Sequence, residues 1–164
     1  MFSSTREVLP SLKVVYVLLI VFFVAVLFRN YFNKLKTKED YLKRASNLGK
    51  HWKQYDRAAA ILKKGSDTLT LTEEEQDVFN FQIGMQYYYK RDYKEAVEYF
   101  EKMERYFKKA RIPFDNGYLS MIVSYYNIGK TEKAKSLYRI LKKQQKLDPR
   151  YGDLDMLEKR LFEQ

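Results

Sequence analysis

A single apolar run sets the strongest limit on what this chain can fold into. Val14 to Phe28 reads VVYVLLIVFFVAVLF and holds no charged or strongly polar side chain. A helix that is apolar on every face has to be surrounded by apolar matter. The remaining sequence shows no large sheet or bundle pattern that would surround it. No small-x-small cleavage site follows either, because the chain continues from Ala25 straight into Val-Leu-Phe-Arg-Asn. The expectation is an uncleaved single-pass transmembrane helix over residues 13–32, preceded by an N-terminal tail, 1–12. The run itself covers roughly 22 Å at about 1.5 Å per residue, short of a hydrocarbon core near ~30 Å. Leu9 to Leu12 and Tyr31–Phe32 extend it, and Lys13 and Arg29 can snorkel to the headgroups. Tyr16 and Tyr31 suit the interfaces.

The net charge of +10 is concentrated beside this run. Residues 1–66 carry 13 Lys/Arg against four Asp/Glu, and residues 67–164 carry 18 against 17. A nucleic-acid binder does not need that asymmetry, so no nucleic-acid partner is expected. Before the run stand Arg6 and Lys13. After it stand Arg29, Lys34, Lys36, Lys38, Lys43 and Arg44. The bias predicts an outside N-terminus and a cytoplasmic C-terminal region, and a small anchored chain rich in Lys, Tyr and Phe points to a bacterial cell membrane. The stretch Arg29–Lys64 carries 11 basic and three acidic residues and is expected to hold the first repeat down on the bilayer's anionic headgroups, with Arg29, Lys34, Lys36 and Lys38 at the surface, each adding up to about 1 kcal/mol. The plain alternative is a topology signal and nothing more.

Chemistry is sparse. The chain has no cysteine, one histidine and six glycines. That leaves no disulfide framework, thiolate site or phosphate-cradling loop to build. No His-x-x-x-His and no Gly-x-Ser-x-Gly occurs. Glu73-Glu74-Glu75 opens a helix, where the dipole favours acids. His51, beside Trp52, has no cysteine or carboxylate partner nearby in sequence. No enzyme activity, cofactor or metal is expected.

Beyond the apolar run the pattern is helix after helix. Ala58, Ala96 and Ala134 recur at intervals of 38 residues. Three residues before them stand Tyr55, Tyr93 and Thr131; four after them stand Leu62, Phe100 and Tyr138. Nine before stand Gly49, Tyr87 and Tyr125. Further back lie the pairs Ala45–Ser46, Ile83–Gly84 and Met121–Ile122. Thr72 with Glu75, and Asp92 with Glu95, read as capping boxes. Asp115 and Thr131 suit helix starts, and Gly129 suits a helix end. Leu154, Leu157 and Leu161 share one face of a closing helix.

These residues resemble the tetratricopeptide repeat (TPR) family, whose unit is a helix-turn-helix with small and large apolar residues at these offsets. The second repeat matches best, through Ile83, Gly84, Tyr87, Tyr93, Ala96 and Phe100. The resemblance spans roughly residues 38–145 and implies an all-α array of about three helix pairs plus a closing helix. A basic juxtamembrane region with a degenerate first repeat occupies 33–66. The second repeat takes 73–110, the third 115–146 and the closing helix 149–164, with the extra residues of the long period in Gly65–Thr72 and Arg111–Asp115.

The resemblance also implies a concave groove lined by the first helix of each pair. Its positions here are Lys43, Asn47 and Lys50, with His51; then Phe81, Met85, Tyr88 and Tyr89; then Asn116, Leu119, Val123 and Tyr126, with Asn127. Some chaperone-binding members clamp a terminal carboxylate, but Gln82, Asn116 and Ser120 supply no positive charge here, so that ligand is not expected. The function expected is that of a membrane-anchored adaptor binding a partner protein segment. The alternative is a permanent structural subunit of a larger membrane complex. Tyr87, Tyr88 and Tyr89 lie 100° apart on a helix and cannot all share one core.

Overall fold

The structure, a computed structural model, describes residues 12–32 and 35–162. The N-terminal tail and Lys34 lie outside the described residues, as do the side chains of Lys13, Arg29, Tyr31 and Phe32. Among the described residues every regular element is helical. The chain divides after Leu35 into two compact units.

The described residues 12–32 of the first unit form one helix, α1 (Leu12–Phe32), apolar on every face from Val14 to Leu27. Its apolar side chains from Val14 to Val24 are exposed, as is Leu27. Side chains are described for 14–27, fewer than a full crossing requires. Among the described residues no helix is long and apolar enough to cross a membrane.

The second unit is built from three helical hairpins. They are α2 (Lys38–Trp52) with α3 (Tyr55–Thr68), α4 (Glu73–Lys90) with α5 (Tyr93–Glu101), and α6 (Gly117–Asn127) with α7 (Thr131–Lys143). The repeating alanines explain their register. Tyr55, Tyr93 and Thr131 each open the second helix of a pair, and the alanine is its fourth residue. Ala58, Ala96 and Ala134 are all fully buried. A methyl there lets the two helices of a pair close together, while Leu62, Phe100 and Tyr138, one turn on, fill the space beyond. Gly84 serves the same end from the first helix: a Cβ on it would collide with the Phe100 ring. Each helix packs on its chain neighbours, and the first helices α2, α4 and α6 also touch in sequence along one side.

The caps follow local chemistry. Thr72 accepts from the Glu75 N–H, and Glu75 accepts from the Thr72 N–H at 2.9 Å, closing a capping box. Thr37 and Asp40 form a second box at the start of α2. Asp92 caps α5 in one direction only, accepting from Glu95. Gly129, at φ 78°, ends α6. The other two hairpin turns put Lys53 (φ 52°) and Arg91 (φ 67°) in the same left-handed conformation, at some cost in strain.

Four details differ from the sequence reading. The helix α3 runs through Gly65 to Thr68, because Gly65 lets α3 close on Phe79 and Tyr41; a Cβ there would lie 2.7 Å from the Phe79 ring. Only 69–72 link the first two hairpins. Thr131 is the first helical residue of α7, not its cap, and Lys130 precedes it without a side-chain cap bond. The helix α5 stops at Glu101, and Met103, Phe107 and Ile112 drop into the core from the irregular segment that follows. The closing element is a 3₁₀ turn (Pro149–Leu154) running through Asp155–Leu157 into a π-type turn (Glu158–Phe162), rather than one regular helix. Leu154 and Leu157 are buried all the same. Tyr151, also fully buried, donates from its hydroxyl to the carbonyls of Ile112 (2.9 Å) and Pro113 (3.2 Å). That bond fixes the irregular segment against the end of the array.

Candidate functional site

The side of the array along which α2, α4 and α6 follow one another holds a cavity of about 490 Å³. The helix α2 and its cap supply Ser46, Gly49, Lys50 and Lys53; α3 adds Tyr55. From α4 come Phe81, Gln82, Met85, Gln86 and Tyr89, and the start of α6 closes it with Asp115, Asn116 and Gly117. The α4 residues share a face because their spacing of three and four positions returns to the same side of a helix.

Small residues set the width of this cavity. A side chain on Gly117 would run into Phe81 and come within 3.2 Å of the Met85 sulfur, so α6 begins close against α4. Gly49 performs the same service for α2: a Cβ there would overlap Oε1 of Gln86. The Gln86 amide therefore occupies ground that a side chain at position 49 would otherwise take. Gln86 is 5% exposed, and its Oε1 has no hydrogen-bond partner. A buried, unpartnered amide oxygen is costly, about 1–3 kcal/mol.

The electrostatics divide the cavity. At the α2 end, Lys50 and Lys53 have no ion-pair partner among the described residues. At the α6 end, Asp115 accepts from the Gly117 N–H at 2.7 Å, turning its carboxylate toward the helix start. Between them lie the Phe81 and Tyr89 rings. Burial first, then Tyr88, Asp115 and Tyr55, push the Tyr89 phenol up, so it remains a donor at neutral pH.

Five of the residues expected from the repeat pattern meet in this cavity: Lys50, Phe81, Met85, Tyr89 and Asn116. Phe81 and Met85 belong at the same time to the hydrophobic core, so they form its floor. Lys43, Asn47 and His51 are exposed on α2 outside the cavity lining. Tyr88, Leu119, Val123 and Tyr126 are half-buried and pack against the core. The Asn127 side chain donates to the Val123 carbonyl at 2.7 Å.

The three consecutive tyrosines separate as helical geometry requires. Tyr87 turns to the α3–α5 side, where it accepts from Lys63 at 2.8 Å and stacks on Tyr99 at 5.9 Å. Tyr88 meets Tyr93 at 6.0 Å, and Tyr89 meets Tyr55 at 6.0 Å at the cavity wall.

The basic residues expected at the membrane are placed in part. The Arg29 side chain and Lys34 lie outside the described residues. Lys36 is exposed. Lys38 is bonded to Glu75, so its charge is engaged within the array. The neighbouring acids are engaged too: Glu73 with Arg105 at 3.1 Å and Glu74 with Lys109 at 2.8 Å.

The pattern did not single out Gln86, Lys53 or Gly117, and it gave Ser46 only as a repeat position. Gln86 had one visible signal, glycine at position 49 where the other repeats carry tyrosine. No family model, no curated protein and no solved structure matches this chain.

Proposed function

We propose that this chain is a membrane-anchored adaptor whose TPR-like array binds a segment of a partner protein in the cavity between α2, α4 and α6. One observation carries the reading: the cavity wall holds a buried amide, Gln86, whose oxygen lacks any partner. Such a group costs stability in the free protein, and a rotation of the amide away from Gly49 into the cavity would give its oxygen a donor from a bound polypeptide. Unpaired Lys50 and Lys53 at one end and Phe81, Met85 and Tyr89 beyond them suit a segment with an acidic end and apolar anchors.

The anchor in this proposal is α1. Its 21 residues correspond to about 31 Å, the thickness of a hydrocarbon core. The flanking charges favour a cytoplasmic array.

A photo-crosslinking residue at Tyr89 or Asn116, compared with one at exposed Glu132 on α7, tests the groove in native membranes. A discrete crosslinked product from the cavity positions alone supports the proposal. Equal products from both faces, or none from the cavity, contradict it. The alternative of a permanent structural subunit draws on exposed Leu147 and Met156 near the closing turns. Copurification at fixed stoichiometry through high salt would favour it.

A further inference from the structure

Trp52 is the chain's only tryptophan, and it stands 69% exposed as the last residue of α2. It lines no cavity described above and has no ring partner among the described residues. Lys50, His51, Lys53 and Arg57 around it are all exposed. The nearest acid, Asp56, is bonded to Lys90 of the next hairpin at 2.8 Å. Lys90 and Arg91 carry the same positive edge onward past the turn between α4 and α5.

The corner is also held firmly in shape. The amides of Lys53 and Gln54 both donate to the Leu48 carbonyl, the latter at 3.0 Å. Arg57 reaches back to the Gln54 side chain at 3.0 Å. The indole therefore stands exposed at a hydrogen-bonded turn, flanked by cations.

We infer that this corner docks on an anionic lipid surface, with Trp52 at headgroup depth and Arg57 and Arg91, which lie outside the cavity lining, against the lipid charges. An amphipathic indole among cations suits the boundary between water and acyl chains. A protein partner would bury the indole in a pocket of its own whatever the lipid composition, so shielding that depends on anionic lipid separates the two. The inference rests on the proposed anchoring by α1. Tethering keeps a bilayer within reach of the corner at high effective concentration, so a contact weak in isolation is enough.

Because Trp52 is the only tryptophan, its fluorescence reports this corner alone. The full chain is reconstituted into vesicles of phosphatidylcholine, or of phosphatidylcholine mixed equally with phosphatidylglycerol. In the mixed vesicles Trp52 emission should shift to the blue, and quenching by acrylamide should fall, relative to phosphatidylcholine alone. Brominated lipid should quench it, and high salt should reverse all three effects. The doubly substituted Arg57→Glu, Arg91→Glu chain should keep its circular dichroism and its flotation with vesicles yet lose the blue shift. Emission that stays water-like in both vesicle types overturns the inference. So does equal shielding in both types or in detergent, which would mean that protein covers the indole. Flotation after a high-salt wash reports α1 separately. A chain that floats with a water-exposed Trp52 fails this inference alone, and a chain that does not float fails the anchor.

Discussion

Gln86 and Gly49 set the terms of the candidate site between them. Glycine at 49 admits the Gln86 amide, and the amide is left without a partner for its oxygen. Gln86→Leu should therefore leave stability unchanged or raise it by up to about 2 kcal/mol, since it removes a buried unsatisfied group. The same change should lower crosslinking from Tyr89 in membranes. Denaturant unfolding and crosslink yield, read on one variant, check both halves; a clear loss of stability would contradict the role given to Gln86. Gly84 makes the opposite case. Its missing side chain is filled by the Phe100 ring, which is buried and cannot move aside cheaply. Gly84→Ala should destabilise by about 1–3 kcal/mol in the same unfolding assay. The importance of Gly84 was legible from the repeat offsets. That of Gly49 was not, because its neighbour Gln86 comes from the next hairpin, 37 residues on, and depends on how closely α2 and α4 approach.

At the scale of elements, the first turn of α4 joins two hairpins electrostatically. Glu75 closes the capping box with Thr72 and also accepts from Lys38 of α2. Lys38 first, and then the Thr72 amide, hold the Glu75 carboxyl at about 2, below its ordinary 4.5. A carboxylate depressed in this way contributes stability that is complete above its unfolded value and is lost as pH falls through its folded one. Stability should therefore decline from about pH 5 toward pH 2, and Glu75→Gln should flatten part of that decline in acid titrations followed by circular dichroism. Thr72→Ala should cost about 1 kcal/mol in thermal unfolding. The capping box could be read from Thr72 and Glu75 alone, because its partners are three residues apart. The engagement of Lys38 could not, since a basic residue beside an apolar run looks the same whether it faces lipid or Glu75. The closing element was half legible. The burial of Leu154 and Leu157 followed from their spacing, but the 3₁₀ and π turns did not. They accompany Tyr151, whose hydroxyl reaches back to Ile112 and Pro113. Tyr151→Phe should cost about 1–2 kcal/mol, read by denaturant unfolding, as those carbonyls lose their donor.

For the whole molecule, two patterns of different period specify two units. A continuous apolar run makes α1, and a 38-residue recurrence makes the array. Each alanine of that recurrence lands at the same place in the second helix of its pair, so fold class and hairpin order could be read from it directly. The central claim is that α1 tethers the array to a membrane with the array in the cytoplasm. The chain has no cysteine, so Thr70→Cys, exposed in the link between α3 and α4, gives a single reactive thiol. Intact and permeabilised cells are labelled with a membrane-impermeant maleimide, and their membranes are then washed with alkali. The account predicts that the chain stays in the washed membranes and is labelled only after permeabilisation. Release by alkali would contradict the tether, and labelling in intact cells would contradict the cytoplasmic placement of the array.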